Sequence, residues 1–416
     1  MNYLFIHQNF PGQYRHIVQD LAGEAGNTVY FITQPNGNSM PGVHKITYPK
    51  DQRGPVNCHA FSAEIDRAIY TGANVAAVCR TLAEQDFRPD LIVGHGGWGE
   101  TLFVKDVFPD VPVVANFEFF YHASGADVGF DPEFSSIFND PSRLRVRNGI
   151  HLLNFQAVDW GHSATRWQRD LHPPEMQPRI SVLHEGVNTQ LARPDPTATF
   201  TLPGSGRILS GADEVVTYVA RNLEPYRGFH IFMRSLPQLL RRRKDTQVVI
   251  VGGDAVSYGT PPPPRSTYRE MMLQELGDQL DLSRVHFAGQ LDYHRYLNLL
   301  QVSAAHVYLT YPFVLSWSFL EAMACGCLII ASSTPPVMEV LRDGVNGLAV
   351  DFFSPTQLAH RIEQVLDEPA EFESIRTQAR ATAVRRFDLH GQLLPKWRAL
   401  FDDLIDGKKP SLYLQD

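Results

Sequence analysis

The sequence predicts an α/β protein built from two Rossmann-like, doubly wound domains. Three observations carry that reading. Short apolar runs alternate with helix-period segments from end to end, the pattern of parallel strands covered on both faces. The alternation comes in two series, and a stretch rich in Pro, Gly, Ser and Thr, ARPDPTATFTLPGSGRILSGADE (192–214), separates them. At 416 residues the chain also exceeds the usual size of one domain. A closed barrel would carry no such break.

In the first series YLFIH (3–7), TVYFIT (28–33), LIVGH (91–95) and VPVVANF (111–117) read as buried parallel strands. The amphipathic stretches Gln13–Ala22 and Ala63–Gln85 lie between them as helices. The second series runs EVVTYVA (214–220), TQVVIVGG (246–253), RVHFAG (284–289), AHVYLT (305–310) and CLIIAS (327–332). The domains are thus expected at 1–188 and 189–387. The periodic segment QLLPKWRALFDDLI (392–405) follows the finished second sheet and can pack on either domain. Two long insertions, 119–142 and 257–267, have the length of functional lids or binding loops.

Composition narrows the function classes. Hydrophobic content of 44% and charged content of 20% suit a globular core. A net charge of −8 gives no global reason to expect nucleic acid, and nothing in the sequence sets an oligomeric state. Two basic clusters stand out, RLRVR (143–147) and RRRK (241–244). The second ends a predicted helix, where cations meet the helix dipole favourably. A solvated helix face is the first reading there, and peripheral contact with anionic lipid or substrate is the second. Cys58, Cys79, Cys325 and Cys327 lack metal-ligand spacing and are expected as reduced, buried thiols. The start, MNYLFIHQNF, has neither a basic n-region nor an apolar h-region, and no run approaches the ~20 apolar residues of a membrane span. The expectation is a cytoplasmic protein.

The segment YPFVLSWSFLEAMACGCLIIAS (311–332) holds a single charged residue, Glu321. A buried carboxylate must be satisfied, by an arginine, by backbone donors or by a ligand with two adjacent hydroxyls. SWSFLEAMA reads as a helix capped by Ser316 or Ser318, with Gly326 ending it. Glu321 then shares a face with Trp317 and Ser318. The helix starts at the carboxyl end of a strand, where its N-terminus suits a phosphate. A second constellation, VARNLEPYRGFHIFMRSLPQLL (219–240), sets Arg221 and Arg227 around a strand-end loop. Guanidinium groups there suit diphosphate oxygens; the competing reading is two surface arginines paired with Glu224.

Taken in order, YVARNLEPYRGFHIFMRSLP, VVIVGGD, VHFAGQL and FLEAMACGCLIIAS…VMEVLRDGVNGLAV resemble the second domain of family 4 glycosyltransferases over about Val182–Arg386. NFPGQYRHIVQDLA, PDLIVGH and HEGVNTQLARP match the first domain more loosely. The resemblance implies a GT-B fold, two Rossmann-like domains facing across a cleft, with the terminal helix (388–416) crossing back to the first. It implies a retaining, metal-independent enzyme that needs no cofactor beyond its nucleotide-sugar donor. Arg221 and Arg227 fall on the basic pair that neutralises the donor diphosphate, and Glu321 on the glutamate that holds the ribose. The backbone around Leu315, Ser316, Trp317 and Ser318 would meet the phosphates. That around Gly289 and Leu291 would face the base, with Gly253 of VVIVGGD among the donor-site positions. Gly12 would lie in the first-strand loop.

One departure from the family pattern matters. The family motif carries two glutamates with seven residues between them, and Phe313 occupies the first position here. That glutamate normally touches the transferred sugar; a phenyl ring offers apolar area and a π face instead. In the first half, His95 and Glu118 end predicted strands and are the candidate acceptor-side residues, with His122 and Asp127 behind them. GHGGWGE has the wrong spacing for a dinucleotide fingerprint, which disfavours an NAD-dependent dehydrogenase, and His184 and Glu185 do not form a zinc-binding pattern.

The expected function is transfer of a sugar from a nucleoside-diphosphate donor to a glycan, lipid-linked or small-molecule acceptor. The rivals are an epimerase or hydrolase on the same fold and a catalytically silent nucleotide-sugar-binding subunit.

Overall fold

The computed structural model describes residues 1–53, 57–134 and 140–414. The chain forms two compact units. The first comprises Met1–Gly129, Ile137–Gly186 and Leu389–Asp416; the second comprises Val187–Asp388 together with Phe130–Ser136.

The first unit is built on a seven-stranded parallel sheet in the order β3-β2-β1-β4-β5-β6-β7. Its strands are β1 (Asn2–Ile6), β2 (Thr28–Thr33), β3 (Val43–Thr47), β4 (Leu91–His95), β5 (Val113–Asn116), β6 (Trp160–Ser163) and β7 (Ile180–Val182). Leu4, Phe5, Ile6, Ile92, Val93 and Val114 are fully buried, as expected of a sheet covered on both faces. The strand β3 escapes sequence reading because it is an edge with partly exposed residues. The strands β6 and β7 escape it because they are short, and β6 carries buried polar groups, His162 and Ser163. The terminal helix Leu394–Ile405 packs on this unit, as the resemblance implies. Trp397 is buried and donates Nε1–H to the His184 carbonyl at 3.0 Å. Phe401 meets the rings of Tyr3 and Phe5, and Arg398 pairs with Asp20 and Glu24.

The second unit carries a six-stranded parallel sheet in the order β12-β11-β10-β13-β14-β15. Here β10 is Val215–Asn222, β11 Gln247–Gly253, β12 Val285–Gly289, β13 Ala305–Tyr308, β14 Ile329–Ser332 and β15 Leu348–Val350. The stretch read as a break is ordered: β8 (Thr199–Thr201) and β9 (Ile208–Ser210) pair antiparallel, burying Phe200 and Leu209.

The 119–142 insertion gives Phe130–Phe134 to the second unit; its residues 135–139 lie outside the described residues. The rings Phe130 and Phe134 pack against the core that holds Tyr311, Phe352 and Tyr268. One cysteine expectation is corrected: Cys58 is exposed on the segment before the Ala63 helix, while Cys79, Cys325 and Cys327 are buried. Both basic clusters are partly paired, Arg143 and Arg147 with Glu64, Arg242 with Glu363, and Arg243 with Glu214 and Asp367. Among the described residues, no helix is long and apolar enough to cross a membrane.

Candidate active site

The second unit gathers its candidate residues at the carboxyl edge of its sheet. From β10 the chain passes through a turn, Pro225–Arg227, and Gly228 in the left-handed region (φ +65°), into the helix Phe229–Arg242. A side chain at Gly228 is barred twice, by that φ and by Leu309 Cβ, which would lie 2.4 Å away. The turn drives the Arg227 guanidinium inward, 8% exposed. Its Nη1 donates to Tyr308 OH (3.2 Å), Thr310 Oγ1 (2.7 Å) and the Val314 carbonyl (3.0 Å). Burial works to lower its pKa, but the Tyr308 and Tyr258 phenols and the more distant Glu224 outweigh that, and it stays a cation. Arg221 is exposed at the end of β10.

Glu224 is not the ion-pair partner that one reading of the sequence assigned to the arginines. It is buried, and its carboxylate accepts the backbone N–H groups of Ser257, Tyr258 and Gly259 at 3.0–3.1 Å. It thereby pins the 257–267 insertion beside the site, with Tyr258 40% exposed and its ring 5.4 Å from the Arg227 guanidinium carbon.

After β13 the loop Leu309–Ser316 leads into the helix Trp317–Ala324. Ser316 occupies the cap position without a side-chain cap bond; its N–H donates to Tyr308 OH at 2.8 Å. Gly326 follows the helix with φ +74°, as the sequence suggested. Glu321 is partly exposed, and each carboxylate oxygen accepts a phenol, Tyr293 on Oε1 and Tyr296 on Oε2, both at 2.9 Å. Leu315 is buried, and Trp317 and Ser318 are partly exposed on the first turn. Phe313 is 5% exposed, its ring 5.6 Å from Tyr226 and 5.0 Å from Tyr258. Gly253 ends β11 beside Asn222, and Gly289 ends β12 in the left-handed region (φ +63°) ahead of the partly buried Leu291.

In the first unit His95 ends β4, and Glu118 follows β5 by two residues. Gly97 N–H donates to His95 Nδ1 at 3.0 Å, and Nε2 on the other side of the ring lies 3.6 Å from Glu118 Oε2. The imidazole stacks on Trp98 at 3.8 Å. Glu118 Oε1 accepts from Gln13 Nε2 at 3.1 Å, and Gln13 Oε1 lies 2.5 Å from His7 Nε2. Burial works to raise the Glu118 carboxyl, but His95, His7 and Gln13 outweigh it and hold it below its ordinary value. Burial and the neighbouring His95 push His7 down to about 3, so it is neutral. Gly12 (φ +56°) lies against the His7 ring, which a Cβ would approach to 2.7 Å. Glu100 is buried nearby, and burial pushes its carboxyl up to about 7. His122 is bound to the Leu171 carbonyl at 2.7 Å and Asp127 is buried. His184 and Glu185 are buried 3.6 Å apart beneath the terminal helix.

The profile of the Glycosyl transferase family 4 group matches residues 25–192, and that of Glycosyl transferases group 1 matches residues 207–382. Each half of the chain thus matches a glycosyltransferase domain profile. The fold is GT-B, shared with solved structures at low sequence identity. Sucrose-phosphate synthase from Thermosynechococcus elongatus superposes with a TM-score of 0.70 at 20% identity, covering 98% of this chain and 100% of that one. Anabaena HepE in complex with UDP-glucose gives 0.65 at 18% identity, covering 94% and 96%. Curated relatives include the D-inositol 3-phosphate glycosyltransferases of Acidothermus cellulolyticus and Mycolicibacterium smegmatis. The first is 28% identical over 48% of this chain and 43% of its own length, the second 28% over 46% and 41%. The chain thus spans a little under half the length of these relatives.

The sequence reading named Arg227, Glu321, His95 and Glu118 as candidates but missed the residues that contact them. Tyr293 and Tyr296 of DYHRYLNLL stand one helical turn apart, a visible signal. His7, Gln13 and Tyr308 gave none, because each acquires its role from a neighbour distant in sequence.

Proposed function

We propose that this protein is a retaining, metal-independent glycosyltransferase that takes a nucleoside-diphosphate sugar as donor. The observation that carries the reading is Arg227. Among the described residues its hydrogen-bond partners are phenols, an alcohol and a carbonyl rather than a carboxylate. A buried cation with no counter-charge in contact suits an anionic ligand. It stands beside the loop that opens the Trp317 helix, whose N-terminal dipole favours phosphate. Glu321 lies one turn further on, and on this reading it accepts the ribose hydroxyls.

In this mechanism the glycosidic bond to the diphosphate breaks with oxocarbenium-like character, and Arg227 stabilises the charge that grows on the leaving oxygens. The acceptor hydroxyl attacks from the face the diphosphate leaves. Its proton passes to a departing phosphate oxygen, so no protein nucleophile is required. His95 and Glu118 are assigned to the acceptor side, where a carboxylate held ionised and the imidazole beside it can orient a hydroxyl. The HepE complex with UDP-glucose puts UDP-sugars first among donors to test.

A thermal-shift panel of UDP-, GDP- and ADP-sugars, followed by turnover with and without EDTA, tests the proposal. A strict need for Mg²⁺ or Mn²⁺ would contradict metal independence. The buried phenyl ring of Phe313 favours a second reading, a silent nucleotide-sugar-binding subunit. Binding without release of nucleotide would establish it, and release of free sugar without an acceptor would indicate a hydrolase.

A further inference from the structure

The second unit contains a carboxylate that comes from the first half of the sequence. Asp131 is 3% exposed. Its Oδ2 accepts the Tyr311 hydroxyl at 2.8 Å and lies 3.1 Å from Nε2 of His230, itself 2% exposed; Oδ1 accepts the Glu133 N–H at 3.0 Å. Around it Phe130 packs on Tyr311, Phe352 and Phe353 at 5.0–5.1 Å, and Phe134 packs on His230 at 4.9 Å and Tyr268 at 5.6 Å. Glu133 completes the attachment with both oxygens on Arg234, at 2.6 and 2.7 Å.

The choice of partners is informative. His230 stands on the first turn of the helix that follows the Arg227 turn, and Tyr311 follows Thr310, to which Arg227 is bonded. Tyr311 N–H also donates to the Tyr226 carbonyl at 3.0 Å. One carboxylate therefore joins the two segments that meet at the guanidinium. The rings alone would seat this segment by apolar burial. A buried carboxylate adds desolvation cost unless its partners are well placed, and so is a poor device for docking alone. Burial works to raise the Asp131 carboxyl, but His230 and Tyr311 outweigh it and keep it below its ordinary value.

We propose that Asp131 is a positioning residue for donor binding, fixing the Arg227 turn against the Tyr311–Ser316 loop so that both meet the diphosphate. The inference rests on the nucleotide-sugar reading above. Support of this kind matters because binding groups must be held within fractions of an ångström by a surrounding shell.

Calorimetric Kd values for UDP, GDP and ADP, with melting temperatures, test it on the full chain. Asp131→Ala is expected to weaken the nucleotide that wild type binds by about tenfold, and Tyr311→Phe by about fivefold. Asp131→Asn, which keeps an acceptor for Tyr311, should recover part of the loss. In an Arg227→Ala background Asp131→Ala should add little, because the group it positions is gone; a role in packing alone would add in full. If Asp131→Ala does not fold, Tyr311→Phe, which removes one oxygen, decides. Unchanged affinity in Tyr311→Phe and Asp131→Ala, with wild type binding normally, overturns this inference alone. Wild type that binds none of the three nucleotides overturns the nucleotide reading and this inference with it. Asp131, Glu133 and His230 also offer ligand atoms within 4.8 Å of one another. A divalent cation that raises the melting temperature of wild type but not of His230→Gln would make them metal ligands and overturn the proposal.

Discussion

Tyr296 donates its hydroxyl to Oε2 of Glu321 at 2.9 Å, from one helix to the next along the chain. With Tyr293 on the other oxygen, it aims the carboxylate without supplying a counter-charge, and on the ribose reading that carboxylate is the acceptor of the ligand hydroxyls. Glu321→Gln is therefore expected to weaken nucleotide-sugar binding by roughly 1.5–3 kcal/mol, the worth of a charge-assisted hydrogen bond. Tyr296→Phe should act in the same direction by less. Calorimetry against melting temperature separates the roles: a fall in stability with donor affinity unchanged would make Glu321 a structural anchor.

Arg227→Ala should lower kcat more than it weakens ground-state binding, because charge grows on the diphosphate only as the bond breaks. Arg221 is exposed, and Arg221→Ala should cost less. Equal losses in both variants under saturating donor would show that burial does not distinguish the two arginines.

Stability should fall steeply in mild acid. Burial lowers His7, His162, His184 and His306 to about 3 and His172 to about 4. These groups are neutral in the fold but take up protons below about 6.5 when unfolded. Their contribution is full above about pH 6.5 and is lost as pH falls toward about 3, or about 4 for His172. Glu100, raised to about 7 by burial, has the opposite sign: its contribution is full below about 4.5 and is lost as pH rises to 7. Chemical denaturation from pH 4.5 to 7 should show a net rise. Glu100→Gln should gain on wild type by up to about 1.4 kcal/mol per pH unit over that window; a constant difference would count against a protonated Glu100.

Much of this was legible in the sequence, for identifiable reasons. Leu91–His95 is visible because both its faces are buried and every residue shows it. Val43–Thr47 is not, because an edge strand mixes exposed and covered residues. Trp160–Ser163 hides because His162 is a core residue only once Trp397 lies against it, ring centroids 4.7 Å apart. Glu321 and Arg227 announce themselves as charges in unusual company. Tyr308, Gln13 and Asp131 are ordinary residues until the fold brings them their partners.

Glu118→Gln and His95→Ala should impair transfer while leaving nucleotide affinity near that of wild type. Initial rates with varied acceptor at saturating donor check this. Unchanged transfer in both variants would place the acceptor elsewhere in the first domain.

Phe313 is packed between Tyr226 and Tyr258, so Phe313→Ala should cost about 3–5 kcal/mol of stability through the cavity it leaves. Its kcat/KM should fall uniformly across donors. Tyr258, 40% exposed beside it, presents a ring that a sugar can meet, and Tyr258→Ala should reorder the donors. A changed donor ranking in Phe313→Ala instead would return specificity to the phenyl ring.

The segment carrying Phe130 and Phe134 also sets a schedule for folding. Asp131 and Tyr311 are 180 positions apart, a separation that raises contact order and slows assembly. On the ribosome this segment emerges before any of residues 187–388, so its two phenylalanines and two carboxylates must wait uncovered for a unit not yet made. Such exposed apolar surface is where chaperones act and where aggregation begins. A gene cut between the two halves would leave the first with an uncovered apolar segment and the second without its anchor. The two domains are therefore not interchangeable modules but one folding problem.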